Sequence, residues 1–473
     1  MRYGGIHPWP GRTATRRRVL GGAAAWAATA SAAVTQARAQ NFSSERTPIL
    51  LLHGGGGTAA QWIPTIWRLE SNFYPRARIF AADLRLSSAR VVDTVRAPGR
   101  SSSEEATAQV TQEIARVLRA ANAERLFVVA QGRAGNLVRN HMRLAGSPQI
   151  RLAVLCAPPS HGAIISDTHM VGSEYNGHTR FLRLLNAQPG GIAPGANVVT
   201  LASDGKDLYA QPDGRFLGLP GVETGIGFDS PALKGATNLV LQDTDHLETA
   251  FSSEAFVSIW RAITGEPPQS QEVHAEVRPV FNGRITGWEG GVPTNTPLSG
   301  ARLRVFPVNP ASGLRLGDPI HTRTTTADGV WGPMDGDPEV PLEFAITARG
   351  YPTTHIYRAP LRRSTEHLHL RPHLPTPADL TAGTPPGAPP GTPPGALVLL
   401  TRVSGFFDYV RDAIMLNGQR VDGAPDVPHE STLRLALPAD GQRPVPAEYN
   451  GERIVGATWP MAERHVTVLE ITG

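Results

Sequence analysis

The sequence predicts an α/β protein: a doubly wound, mostly parallel sheet over about residues 45–265, then two small all-β modules over about 270–373 and 397–473. Three observations predict it. Short continuous apolar runs recur through the first half, with helical stretches between several of them. From Val273 onward no helix-length periodic segment intervenes, and turn pairs such as Asn282-Gly283, Ser312-Gly313 and Asp328-Gly329 separate short candidate strands. Between the two β regions, Gly383–Gly395 repeats a Pro-Pro unit every four residues, so residues 374–396 form an extended linker and not a period-three collagen helix.

In chain order, the buried-strand runs are Thr47–His53, Ile79–Ala82, Leu126–Ala130, Leu152–Cys156, Val198–Ala202 and Asn238–Leu241. The clearest helix is Ser103–Ala121. Val110, Ile114, Val117 and Leu118 lie at helical spacing, and Glu104 and Glu105 sit where a helix N-terminus favours acids. The first β module is expected to use His274–Val280, Ala301–Phe306, His321–Thr326, Leu342–Thr347 and His367–Arg371. The second is expected to use Leu397–Thr401, Thr432–Leu437 and His465–Ile471.

With 473 residues, 40% apolar and 18% charged, the chain is globular and long enough for two or three cores. Its formal charge of +4 comes from the N-terminus: residues 1–39 hold six Arg and no acid, and the remaining 39 basic residues face 41 acids, a net of −2. Nucleic acid is therefore not an expected partner. The same N-terminus reads as an export signal of the twin-arginine type. Thr15-Arg16-Arg17-Arg18-Val19-Leu20 precedes an Ala-rich stretch from Gly21 to Val34, and Ala37-Arg38-Ala39 is a cleavage site. A periplasmic or extracellular location follows as an expectation, with no transmembrane segment in the mature chain. The single cysteine, Cys156, fits a structural thiol at a strand end.

The chemistry-bearing segments lie at the ends of the apolar runs. Residues 127–140 run from a buried strand through Ala130-Gln131-Gly132-Arg133-Ala134-Gly135 into a helix. The first run ends in His53-Gly54-Gly55-Gly56-Gly57. Ser203-Asp204-Gly205-Lys206-Asp207 follows the fifth run, and His246 follows the sixth. Cys156-Ala-Pro-Pro-Ser-His161-Gly162 follows the fourth. The turn at 130–134 resembles the nucleophile elbow of α/β-hydrolases, which reads G-x-S-x-G. The order of elbow, acid and histidine is also that family's, and the Pro-Ser-His-Gly stretch is similar to secreted lipases and polyester depolymerases, which carry C-terminal β domains.

The resemblance implies a lipase- or esterase-like fold acting on an ester, lipid or polyester ligand. It implies oxyanion-hole N–H groups from Gly55 and Arg133, an acid at Asp207 or Asp204, and His246 as base. A small cap is expected over residues 163–195, with Tyr175, Phe181, Leu182 and Leu185 as its apolar residues. One part departs from the pattern: the nucleophile position is Gly132, with Gln131 and Ala134 altered beside it. Covalent acyl transfer cannot run by the usual route without a nucleophile. The expected function is a hydrolase with impaired ester hydrolysis that keeps ester or acyl-chain binding. The alternatives are a non-catalytic lipid- or polymer-binding protein, an ester hydrolase in which His246 activates water, and proton abstraction by a His–Asp pair on an unnamed substrate. No cofactor or metal is implied. His367, His369 and His373 have metal-like spacing, but Leu368 and Leu370 between them read as the buried face of a strand.

Overall fold

The computed structural model describes residues 46–377, 379, 395–403, 405–423, 431–438 and 441–472. The export signal and most of the Pro-rich linker lie outside the described residues.

Every apolar run predicted in the first half forms a strand: β1 (Ile49–Leu52), β2 (Ile79–Ala82), β5 (Leu126–Gln131), β6 (Ile150–Cys156), β7 (Val198–Ser203) and β8 (Thr237–Leu241). A short parallel pair, β3 (Ser88–Ala89) and β4 (Arg100–Ser101), lies outside the main sheet. The six long strands pair in parallel in the order β2-β1-β5-β6-β7-β8. The chain steps outward from β1 to β2, then returns to the other side of β1. The strand order therefore reverses between β1 and β5, and ligands of open α/β sheets bind at the carboxyl ends of such a switch point.

Strand alternation sends successive residues to opposite faces, and both faces are covered over the central strands; β8 forms as expected but, as the edge strand, is exposed over Thr237–Val240, which corrects the expectation of a buried strand there. Leu50 and Leu52 join a core with Val110 and Ile114 of α2 (Ser103–Ala120) and Leu137 and Val138 of α3 (Arg133–Ala145). Ile49 and Leu51 join the opposite core with Ile66 of α1 (Ile63–Ser71) and Phe256 and Ile259 of α5 (Ser253–Thr264). A capping box starts α2: the Ser102 hydroxyl accepts from the Glu105 N–H, and the Glu105 carboxylate accepts from the Ser102 N–H.

The two β regions are not separate in the sheet. Strand His465–Ile471 lies parallel between Thr353–Arg358 and Ala396–Arg402. It fuses strands from both sides of the linker into one seven-stranded sheet. A four-stranded sheet, Gln419–Arg420, Ile414–Leu416, Pro444–Tyr449 and Glu452–Ala457, packs against part of it around Phe407, Val445 and Tyr449. The first domain docks on this assembly through α1: Ile63 and Trp67 enter the β core, and the Trp67 indole donates to the Ser364 carbonyl at 2.9 Å.

Two predicted strands are corrected. Of His274–Val280, only Val280 belongs to a strand, Val280–Phe281; most of the run lies on the surface, with Val277 90% exposed. His367–Arg371 is no strand. It lies beside Ile285 through a single bridge, and the alternation of Leu368 and Leu370 reports their burial, not a ladder. Of the three histidines with metal-like spacing, His369 pairs with Asp83 at 2.8 Å and His373 with Asp379 at 2.9 Å.

Candidate active site

Gly132 terminates β5 and is the N-cap of α3, with φ 52° and ψ −120°. This left-handed strand-to-helix turn raises residue 132 above the sheet, and it strains any residue with a side chain. A Cβ built on Gly132 would stand 3.1 Å from His246 Nε2. The glycine thus occupies the point from which a side chain would address the imidazole.

His246 follows β8. Its Nδ1 lies 3.0 Å from both carboxylate oxygens of Asp207. Asp207 also accepts from the Tyr209 N–H at 2.9 Å, and the Tyr209 ring stands edge-on to His246 with centroids 4.8 Å apart. Burial would push the imidazole pKa down, but the Asp207 charge and hydrogen bond, with Asp245 adding to them, leave it raised above its ordinary value. Asp204 is engaged elsewhere: its carboxylate accepts from the N–H groups of Lys206 and Asp243, closing the turns after β7 and β8.

The Gly-rich turn after β1 is set by a buried histidine. His53 Nε2 accepts from the Leu84 N–H at 3.0 Å, so the ring proton sits on Nδ1, which donates to the Gly54 carbonyl at 2.9 Å. Burial lowers the His53 pKa and keeps the ring neutral. Because the peptide is planar and trans, turning the Gly54 carbonyl toward His53 points the Gly55 N–H the opposite way. The second candidate donor is the Arg133 N–H, one of those a helix leaves without an internal acceptor. A Cβ on Gly55 would lie 3.9 Å from Arg133 Cβ, so the two turns face each other across the switch point.

Gln131 and Arg133 have structural partners. The Gln131 amide donates to the His246 carbonyl at 3.3 Å, and its oxygen lies so close to Gly54 that a Cβ there would be 1.9 Å away. The Arg133 guanidinium is buried in a two-pronged pair with Glu174 at 2.7 Å and 2.7 Å and also donates to Ser87 and Ser101. It ties the elbow to the segment that follows β6.

These groups open into a cavity of about 540 Å³. Of the expected cap, Ala163, Met170 and Tyr175 line it, and the Tyr175 hydroxyl sits over Gly55. Phe181, on α4 (Arg180–Asn186), instead packs against the core beneath α3. The opposite wall comes from far along the chain: Arg402, Val403, Gly405, Phe406 and Ser431. Sequence reasoning missed this wall, because no local pattern marks residues that meet His246 only through folding. Arg402 and Arg411 hold Glu248, two residues beyond His246, at 2.9 Å and 2.6 Å, and the Phe406 N–H donates to Asp245 at 2.8 Å. Burial, and then Glu248 beside it, push the Asp245 carboxyl up to about 6.

Sequence reasoning also missed Asn295. Its amide donates to the carbonyls of Gly57 and Leu84, each at 2.9 Å, and so fastens the Gly-rich turn to the β region. Cys156 is buried, its thiol is pushed up by burial, and it is remote in role from the elbow, whose Gly132 N–H donates to the Cys156 carbonyl. Among the described residues no helix is long and apolar enough to cross a membrane, and no group of three or more His, Cys, Asp or Glu is placed to hold a metal.

Residues 280–375 match the family model described as the lipase C-terminal domain. No curated protein sequence matches the chain. Among solved structures, the chain is similar to lipase B of Aspergillus fumigatus, at 13% identity over 49% of this chain and 55% of that one, with a TM-score of 0.35. It is similar to carboxylesterase CesB of Bacillus subtilis, at 14% identity over 47% and 85%, with a TM-score of 0.26. It is also similar to phospholipase PlaB of Legionella pneumophila, at 11% identity over 64% and 86%, with a TM-score of 0.33. The matched span is about half the length of the Aspergillus lipase. The α/β-hydrolase fold is read from this chain's own topology: a parallel sheet, a strained strand-to-helix turn after β5, and elbow, acid and histidine in that order.

Proposed function

We propose that this chain of α/β-hydrolase fold is an exported, lipase- or esterase-like protein in which carboxylic-ester hydrolysis is impaired and binding of an ester or acyl chain is kept. One observation carries the reading: His246, oriented by Asp207, aims Nε2 at a point 3.1 Å away where Gly132 offers no attacking atom. The reading is supported by the lining of the cavity, where Gly55 and Arg133, the candidate oxyanion donors, stand with Tyr175, Tyr209, Leu217 and Phe406.

A second reading, hydrolysis by water, has its own support. The His246–Asp207 pair serves no purpose in binding alone. In that mechanism Nε2 takes a proton from water, the hydroxyl oxygen bonds to the ester carbon, and the N–H donors hold the oxyanion. The C–O bond to the alkoxide then breaks, and the alkoxide takes the proton from Nε2. Such a route runs orders of magnitude below an intact triad.

Turnover of p-nitrophenyl esters by the wild type, Gly132→Ser and His246→Ala tests both readings. The impaired reading expects a low wild-type rate and a large gain in Gly132→Ser. A high wild-type rate abolished by His246→Ala overturns impairment, and a low wild-type rate abolished by His246→Ala favours the water route. No gain in Gly132→Ser leaves binding alone as the better account.

A further inference from the structure

A second cleft, of about 490 Å³, opens beside the candidate active site. Four arginines line it: Arg85, Arg90, Arg96 and Arg100. The only acids on its walls are Glu105, already held by Arg90 at 2.8 Å, and Glu289. Beyond residue 39 the chain is net negative, so this concentration of cations is not its average surface. Asp93, the one acid within 85–100, is turned away, its carboxylate accepting from the Ser103 N–H and hydroxyl at 2.6 Å and 2.6 Å.

The cleft is built from two elements in contact. Its rim is the seam between the β3–β4 loop and the hairpin of Thr286–Glu289 and Val292–Pro297. A Cβ on Gly99 would come within 2.4 Å of the Glu289 carbonyl oxygen, and one on Gly290 within 2.6 Å of Pro98. The two backbones therefore touch directly. Arg100 donates to the Ala89 carbonyl at 2.8 Å and Arg85 to Thr296 at 3.3 Å, which anchors both guanidinium groups. Arg96 is exposed and has no hydrogen-bond or ion-pair partner among the described residues, and the Arg90 Nε is buried without an acceptor. Arg100 also lines the cavity that holds His246.

We propose that this arginine cleft is a subsite for a phosphate group, and that it holds the charged end of a ligand whose ester portion lies at Gly132 and His246. Guanidinium forks match phosphate oxygens in pairs, and several of them converging on one cleft outweigh the single free acid, Glu289. A phosphate monoester of an acylated polyol carries a group for each chamber, which Arg100 joins by lining both, and free phosphate addresses the cleft alone. The inference rests on the ester-binding reading of the larger cavity only where it joins the two chambers.

Calorimetric binding of three probes tests it: 1-hexanoylglycerol, its 3-phosphate and inorganic phosphate. At low salt the phosphate ester should bind about tenfold tighter than the neutral ester, the effect of one charged hydrogen bond. Arg96→Ala, at an exposed position, should erase that advantage and leave the neutral ester's affinity unchanged, and Glu289→Gln should increase it. Inorganic phosphate should compete with the phosphate ester and not with the neutral one. Equal affinity for the two esters, or an advantage that survives Arg96→Ala, overturns the proposal. Failure of both esters to bind, with phosphate still bound in an Arg96-dependent way, overturns the ester reading of the cavity and keeps the subsite as one for free phosphate.

Discussion

The Nε2 of His246 stands 3.1 Å from the position where a side chain on Gly132 would begin. That spacing is tight for a Cβ, so an added side chain needs the imidazole to recede by a few tenths of an ångström. The residue would also sit at φ 52°. Gly132→Ser should therefore gain ester turnover while losing stability, by about 1–3 kcal/mol of backbone strain. Gly132→Ala is the control. It should lose similar stability in thermal unfolding and gain no activity.

The pH dependence follows from the His246–Asp207 pair. The folded-state pKa of His246 is raised from 6.5. Stability from the charged imidazole is therefore fully present below pH 6.5 and is lost as pH rises through the raised value. Proton acceptance requires the neutral ring, so turnover in Gly132→Ser should rise with pH through that same value. Asp207→Asn removes the partner that raises it. The midpoint of the pH–rate profile should move down, with lower stability on the acidic side. An unmoved midpoint would show that Asp207 does not govern the histidine.

Arg402 and Glu248 form a buried pair at 2.9 Å, 154 residues apart, behind the loop that carries His246. Removing Arg402 leaves Glu248 with Arg411 alone, at 2.6 Å, and takes a cation from beside Asp245, so the cost stays below the about 3–5 kcal/mol of a fully orphaned buried charge. Arg402→Met should lower the unfolding midpoint by less than that equivalent, and Arg402→Met with Arg411→Met, which strips Glu248 of both cations, should reach it. In the Gly132→Ser background, Phe406→Ala should change preference among ester chain lengths, since Phe406 lines the cavity. An unchanged chain-length profile would remove this wall from the site.

Asn295 fastens the Gly-rich turn from the β region. Asn295→Leu leaves the Gly57 and Leu84 carbonyls without this donor, a loss of about 1–3 kcal/mol each if they stay buried. In the Gly132→Ser background it should lower kcat more than it raises KM, because the oxyanion donor at Gly55 matters most in the transition state. An equal effect on Asn295→Leu stability with kcat intact would limit Asn295 to a structural role.

The sequence by itself marked the strands of the parallel sheet, because strands buried on both faces need apolar runs such as Ile49–Leu52 and Leu126–Ala130. It also marked the Gly132 turn, the His53-Gly turn and the histidine after the last parallel strand, since each interrupts such a run at its carboxyl end. It left Asp204 and Asp207 open, and only the fold brings Asp207 to the imidazole while Asp204 closes turns. The tertiary structure alone decided that His465–Ile471 joins the two β regions in one sheet, and that Arg402, Phe406 and Asn295 reach the site. The contacts of Arg402, Phe406 and Asn295 with the site join residues more than 150 positions apart. Local periodicity reports which face of an element is buried, and it carries no record of what the face is buried against.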